Sequence, residues 1–333
     1  MSSANFPIFL VGATGVGKSE VGLELARRCG GAILAMDAMQ VYRGADIGTG
    51  KPSVAEQAEV PHGGLDLAEL GSSFDVARYL EHAKEFLREQ GEAGRRVIVV
   101  GGTGLYFRAL TRGLCEAPQG SDALRAELGA LSVEALRARL ERVDAPILKQ
   151  IDTANPRRLA RAIEVMESTG RSLREWQEET PEPLVREFGA FWLCREKGEL
   201  EERIARRVEA MFAAGWVEEV RGLVARYGLE VARNFAGIGY GEIAEALGEG
   251  EAMELRGQER SQMEFGNEGQ QGIRAARGET VARRATATLP GDITVATRQY
   301  AKRQLTWFAR ETSLRKVMLS GSQPLPAALL SLF

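Results

Sequence analysis

The 333-residue chain is poor in cysteine: Cys29, Cys115 and Cys194 lie far apart and form no CxxC pair. A zinc centre or disulfide framework is therefore not expected, and reduced, buried thiols are the simpler reading. Long apolar runs are also missing, none approaching the ~20 residues that span a bilayer. The short apolar segment at residues 6–11 lacks the basic flank of a secretory leader and runs straight into glycine-rich sequence. A cytoplasmic protein with no membrane contact is expected. Neither sign of charge dominates, with 43 basic against 46 acidic residues and a formal net charge of -3. That balance neither demands nor forbids a polyanionic partner, because a local basic face can sit on a mildly acidic protein. No amphipathic stretch is left without a counterpart, so no protein partner is implied and a monomer is expected.

What the chain does have is core-forming material, 44% hydrophobic residues, and a length that suggests two domains at roughly 150 residues each. Residues 8–11, 32–36 and 96–100 are short apolar runs ending at Gly12, Asp37 and Gly101, which read as buried strands. A helix is expected over 18–28, closed by Gly30-Gly31. Strands alternating with helices predict an α/β fold with a parallel sheet, and ligands gather at the carboxyl ends of such strands. From about residue 117 to 196 the pattern turns helical, with helices expected over 123–128, 133–143 and 156–168 and Gly170 as a stop signal. Residues 188–193 resemble a strand returning to the sheet, and a long helix over 199–214 ends at Gly215. We expect a core of residues 1–116 and 197–333 with a helical domain inserted at 117–196. Residues 253–289, rich in Gly, Gln, Glu and Arg, bury too little to offset their ordering entropy, and predict a mobile surface insertion. Order is expected to resume near Thr294, with a helix over 297–309.

The sharpest motif is Gly12-Ala13-Thr14-Gly15-Val16-Gly17-Lys18-Ser19. This is the G-x-x-x-x-G-K-[ST] pattern, set between a strand and a helix as a phosphate loop requires. Backbone N–H groups cradle phosphate oxygens, Lys18 adds a positive charge, the helix N-terminus adds its dipole, and Ser19 can ligate Mg²⁺. A tight turn alone has no need of the Lys-Ser pair. The motif leaves open which phosphate compound binds, ATP being the usual guest. Asp37, at the end of the second strand, has two chemical uses beside such a loop: holding Mg²⁺ through water, or taking a proton from a nucleophile. A third, structural use is as the N-cap of a helix following the strand.

After Asp37 the chain reads Ala38-Met39-Gln40-Val41-Tyr42-Arg43-Gly44-Ala45-Asp46-Ile47-Gly48-Thr49-Gly50-Lys51-Pro52. This stretch resembles the D-S-x-Q-x-Y-x-G-x-D-I-G-T-A-K-P signature of the tRNA dimethylallyltransferase (tRNA isopentenyltransferase) family. Gly101-Gly102-Thr103-Gly104-Leu105-Tyr106 is similar to that family's G-G-T-x-x-Y segment. The run from Thr297 through Lys302, Arg303, Gln304 and Trp307 to Phe308 is similar to its C-terminal helix. The likeness covers nearly the whole chain apart from residues 253–289. It implies a P-loop NTPase-like core with an inserted helical domain, dimethylallyl diphosphate and a tRNA anticodon stem-loop as substrates, and Mg²⁺ as cofactor. The expected reaction joins the dimethylallyl group to N6 of the adenine immediately 3′ of the anticodon, releasing diphosphate.

On this resemblance the diphosphate lies on Gly12 to Ser19, and Arg207 stabilises its growing negative charge as it leaves. Asp37 orients and deprotonates the exocyclic amine, whose lone pair is delocalised and poorly nucleophilic. Thr103 hydrogen-bonds near the reacting groups; a turn-stabilising threonine is the plain alternative. Arg203, four residues before Arg207, shares its helix face, although most helical arginines are solvated surface charges. The resemblance assigns tRNA contact to Asp37, Ala38, Met39, Gln40, Thr103, Arg125, Arg157, Arg158, Arg161, Gly239, Tyr240, Lys302, Arg303, Gln304 and Trp307. Basic clusters with interleaved aromatics suit phosphate contact and stacking on unpaired bases.

Three departures stand out: Ala38 for the usual serine, Gly63 for a second histidine after His62, and Gly241 for a commonly basic residue. The rival readings are a P-loop small-molecule kinase, an isopentenyltransferase acting on free adenine nucleotides, and an RNA-binding homologue silenced by the 253–289 insertion.

Overall fold

A computed structural model describes residues 6–249 and 288–321 together with Leu329. The expected mobile insertion at 253–289 lies outside the described residues except for Thr288 and Leu289. By packing, the chain divides into two compact units: Met1–Phe107 with Glu187–Phe333, and Arg108–Arg186.

The first unit is built on a six-stranded sheet. Its strands are β1 (Ile8–Gly12), β2 (Ala32–Met36), β3 (His62–Gly63), β4 (Val97–Gly101), β5 (Gly189–Cys194) and β6 (Arg315–Met318), in the order β3-β2-β4-β1-β5-β6. Every pairing is parallel, with Ile8 opposite both Ile98 and Gly189 and Phe191 opposite Arg315. β1, β2 and β4 are buried at every position. Unbroken apolar runs are what a parallel strand covered on both faces requires. The fold is the α/β, P-loop-like class expected. β3 is only two residues long, and β6 buries only Val317 while exposing Arg315 and Lys316 as an edge strand does.

Helix α1 (Lys18–Cys29) ends on Gly30 in the left-handed region. α2 (Val54–Glu59) begins with a capping box between Ser53 and Glu56. α3 (Val76–Glu92), absent from the sequence reading, is capped by Asp75 and turns Tyr79, Ala83, Phe86 and Gln90 inward. α4 (Gly104–Arg112) follows β4. In the second unit, α5 (Asp122–Gly129), α6 (Val133–Asp144), α7 (Pro156–Thr169) and α8 (Leu173–Glu178) pack around Leu136, Leu140, Ile147, Leu159 and Ile163. α7 stops at Gly170, which is left-handed.

Returning to the first unit, α9 (Lys197–Ala213) places Leu200 and Ile204 on the sheet core, and α10 (Trp216–Tyr227) buries Trp216, Val220 and Leu223. A short α11 (Leu229–Arg233) precedes α12 over residues 240–249. Helix α13 (Leu289–Phe308) starts eight residues before the expected Thr297. Proline in its first turn suits a helix start, and Leu289 and Ile293, one turn apart, are buried with Trp216 and Tyr240. The unit boundaries also differ from the expected 117–196, because β5 belongs to the sheet.

Candidate active site

A cavity of about 280 Å³ opens at the carboxyl edge of the sheet. Its rim carries Thr14, Gly15, Gly17, Lys18 and Ser19 from the phosphate loop, Asp37 and Gln40 after β2, Thr49 to Pro52, Arg203 and Arg207 from α9, and Tyr300 and Gln304 from α13. Leu23, Ile33, Ala35 and Val100 supply an apolar wall. Segments far apart in sequence meet here because each follows the carboxyl end of a parallel strand or packs over it.

The phosphate loop is held from outside by arginines. Arg203 Nε donates to the Gly15 carbonyl at 3.0 Å, and its Nη2 reaches Glu20 at 3.1 Å. Arg195, with a side chain only 3% exposed, donates to the Val16 carbonyl at 2.9 Å and pairs with Glu199. Sequence reasoning overlooked Arg195, although a basic residue directly after a strand end at the ligand edge is a usable signal. Lys18 rests its ammonium on the Ala13 carbonyl at 2.8 Å. The residue as a whole is half-buried and lines the cavity. Desolvation lowers the ammonium to about 8, against the attraction of Asp37 and with some help from Arg207. Burial likewise pulls Arg207 below its ordinary value, Asp37 and Glu20 opposing and Arg203 adding. Arg207 Nη2 donates to the Thr49 carbonyl at 3.5 Å, a long contact that leaves most of its donors for an anion.

Opposite these cations, Asp37 Oδ1 accepts the Met39 N–H at 2.8 Å; residues 38–41 form a turn and not a helix, so the carboxylate is no helix N-cap, and its other oxygen remains for chemistry. Thr103 Oγ1 accepts the Ala38 N–H at 3.1 Å. It therefore braces the peptide just after Asp37 and is not among the residues lining the cavity. Gln40 is oriented by the Thr49 and Gly50 carbonyls, at 3.2 and 3.1 Å. Burial pushes the Tyr300 phenol up to about 12, with Asp37 adding to the rise. His62 also lines the cavity, its Nδ1 2.7 Å from the Val60 carbonyl, and burial lowers its pKa.

Three residues assigned to RNA contact by resemblance are held otherwise. Tyr240 is 1% exposed and donates its hydroxyl to Glu219 at 2.6 Å, so its ring is core rather than an RNA platform. A Cβ at Gly239 would lie 2.3 Å from the Trp216 ring, so that glycine serves close packing. Gln304 is buried with both ends of its amide on backbone groups, the Thr14 N–H at 2.9 Å and the Gly102 carbonyl at 3.0 Å. Lys302 and Arg303 are exposed on the outer face of α13. Trp307 is half-buried and meets Phe107 edge-on.

Within the helical unit, Arg161 donates to the Ala117 and Pro118 carbonyls at 2.6 and 3.1 Å and to Glu164 at 2.9 Å. That makes it an internal brace. Arg125 bonds Gln119 at 3.0 Å and pairs with Asp122. Arg157 and Arg158 stand exposed at the start of α7, with no ion pair among the described residues.

The departures have physical explanations. A Cβ at Gly63 would fall 2.6 Å from the Phe86 ring, so Phe86 fills the space a histidine would need. A Cβ at Gly241 would meet the Arg233 carbonyl at 2.7 Å. Ala38 contributes only its backbone N–H, which Thr103 uses.

A sequence model described as IPP transferase matches residues 40–311. The chain belongs to this family. It is 39% identical over 320 residues to the tRNA dimethylallyltransferase of Methylacidiphilum infernorum (isolate V4), covering 96% of this chain and 88% of that protein. With the tRNA dimethylallyltransferase of Bradyrhizobium sp. it shares 38% over 313 residues, 92% of each. The crystal structure of the full-length tRNA isopentenylpyrophosphate transferase from Bacillus halodurans superposes with a TM-score of 0.57 at 30% identity, covering 94% of this chain and 90% of that one. A eukaryotic dimethylallyltransferase, captured acting on tRNA, shares the fold at a TM-score of 0.69 and 21% identity, covering 94% and 74%. These relatives leave the kinase and free-nucleotide readings without support. No helix among the described residues is long and apolar enough to cross a membrane.

Proposed function

We propose that the protein transfers a dimethylallyl group from dimethylallyl diphosphate to N6 of the adenine immediately 3′ of the anticodon in tRNA. The observation that carries this reading is one cavity with an anion cradle on one side, the Asp37 carboxylate facing it and an apolar wall beside them. The diphosphate is received by the amides of Gly15 to Ser19, Lys18 and Arg207, and the five-carbon chain lies against Ile33, Ala35 and Val100. The adenine leaves its stack to enter the cavity, and Asp37 takes a proton from the exocyclic amine as nitrogen attacks the allylic carbon. The C–O bond to diphosphate breaks, and Lys18 and Arg207 balance the charge that develops on the leaving group. Thr103 keeps Asp37 aimed by fixing the Ala38 amide.

Among the described residues there is no cluster of three or more His, Cys, Asp or Glu that would cage a metal. The hard oxygen donor at Ser19, beside the phosphate cradle, fits Mg²⁺ held chiefly by substrate phosphates and water. When bound there, the ion would supply neutralising charge to the diphosphate, with Ser19 as its protein oxygen ligand. Exposed Arg157 and Arg158 of the helical unit contact the RNA backbone, as do Lys302 and Arg303 of α13, the helix that also carries Trp307.

The direct test incubates the protein with labelled dimethylallyl diphosphate, Mg²⁺ and unmodified tRNA. Label is expected on the base 3′ of the anticodon. Folded protein that binds both substrates yet transfers no label, or that labels free AMP instead, overturns the reading.

A further inference from the structure

Gln304 is the one buried polar side chain of α13 that reaches two strand-end loops at once. Its Oε1 accepts the Thr14 N–H of the phosphate loop at 2.9 Å, and its Nε2 donates to the Gly102 carbonyl at 3.0 Å. The amide can be oriented only one way, because Thr14 presents a donor and Gly102 an acceptor. Gly102 has no side chain where one would collide: a Cβ there would stand 2.2 Å from Nε2. The next residue, Thr103, takes the Ala38 N–H, and Ala38 follows Asp37 directly. The side chain of Tyr300, one turn earlier and on the cavity rim, also hydrogen-bonds Gln304.

We propose that Gln304 is a positioning residue: its amide fixes the spacing between the phosphate loop, which holds the leaving group, and the end of β4, whose Thr103 in turn holds the peptide just after Asp37. The two loops emerge from adjacent strands, β1 and β4, and the last main-chain pairing between these strands is Val11 with Gly101. Beyond it, the Gln304 amide continues the tie from side to side. It also occupies the Thr14 N–H, so the amides left for phosphate are those from Gly15 onward. Because a buried group deprived of its partner is costly, removing the bridge lets both loops move toward water. The effect falls on donor binding and on turnover together, and not on the outer RNA-facing surface of α13.

The inference rests on the transferase reading for its catalytic arm only. Full-length wild type, Gln304→Leu and Gln304→Glu are compared by calorimetry with inorganic diphosphate and Mg²⁺, by kcat and KM for each substrate, and by thermal melting. Gln304→Leu is expected to weaken diphosphate binding and raise the donor KM by roughly tenfold, to lower kcat, and to leave the tRNA KM near wild type. In Gln304→Glu a protonated carboxyl reproduces both bonds, its C=O accepting and its O–H donating, whereas a carboxylate cannot donate. The ratio of its activity to wild type should therefore climb as pH falls from 8 to 5.5, and diphosphate affinity should do the same.

Wild-type diphosphate affinity in folded Gln304→Leu overturns the proposal. So does an effect confined to the tRNA KM, which would place the side chain against RNA. If Gln304→Leu does not fold, the pH dependence of Gln304→Glu decides, and a flat ratio overturns the idea. Should wild type transfer nothing to tRNA, the transferase reading fails while the diphosphate arm still judges the bridge.

Discussion

At the residue scale, Asp37 and Lys18 face each other across one cavity, and each has a testable signature. Asparagine at position 37 can still accept the Met39 N–H but cannot take a proton. Asp37→Asn should therefore retain diphosphate and RNA binding while losing at least about 100-fold in kcat; single-turnover transfer of label measures this. Lys18 is lowered to about 8 by burial, so at pH 8 about half the free protein carries a neutral amine there. A bound diphosphate favours the ammonium, so binding takes up a proton and weakens as pH rises above 8. Calorimetry in buffers of different ionisation enthalpy should detect that uptake near pH 8, and Lys18→Arg should abolish it. The linkage to folding has the same origin. The unfolded lysine keeps its ordinary 10.5, so between about 8 and 10.5 the unfolded state holds more protons, and this group's contribution to stability rises with pH. Gly50, with φ near +63°, sits so close to Arg207 that a Cβ would lie 2.0 Å from Nη2. Gly50→Ala should displace the guanidinium and raise the donor KM by roughly tenfold, leaving the melting temperature less affected.

At the scale of elements, the loop after β2 depends on a helix distant in sequence. Glu219 of α10 accepts the backbone N–H groups of Asp46, Ile47 and Gly48 at 3.0, 2.6 and 3.4 Å, and the Tyr240 hydroxyl at 2.6 Å. Removing this carboxylate unties the turn that brings Thr49 and Gly50 to Arg207. We expect Glu219→Ala to cost about 1–2 kcal/mol, some of its bonds being solvent-exposed, and Tyr240→Phe about 1 kcal/mol. Urea denaturation of the two single variants and the double variant checks both values, and their non-additivity reports the shared network.

The elements that sequence made legible are those with a strong local signal. β1, β2 and β4 are unbroken apolar runs, α1 begins at the Lys-Ser pair, and α7 runs from Asn155-Pro156 to Gly170. β3 and β6 were not legible, because two residues carry no period and a charged edge strand does not look apolar. α3 and α10 went unread although Tyr79, Ala83, Phe86 and Gln90 do follow a helical period. The early start of α13 was hidden by its polar neighbourhood, since only Leu289 and Ile293 mark it as buried.

For the whole molecule, a net charge of -3 means that any attraction for RNA comes from local clusters rather than overall charge. Arg157 and Arg158 are exposed without a carboxylate partner among the described residues, unlike Arg161 and Arg125, which are engaged within the helical unit. Replacing Arg157 and Arg158 together by alanine should weaken anticodon stem-loop binding and reduce the salt dependence of its logarithm by about two counterions. Diphosphate binding should be unchanged. Filter binding across a salt series distinguishes this from Arg161→Ala, which should lower stability before it alters the salt slope.

The chain's own order of residues determined the strand–loop–helix that cradles phosphate, the carboxylate at the next strand end and the family signature around it, because each is a short-range pattern with a local physical cause. Which groups share one cavity was decided only in three dimensions. Arg195 and Arg203 reach the phosphate loop from nearly two hundred residues away, Arg207 joins the same cavity, and Tyr240, Gln304 and Arg161 turn inward despite motifs that suggested RNA. A motif states which side chain is present. Whether that side chain meets solvent, substrate or another backbone depends on packing among segments that no local pattern connects.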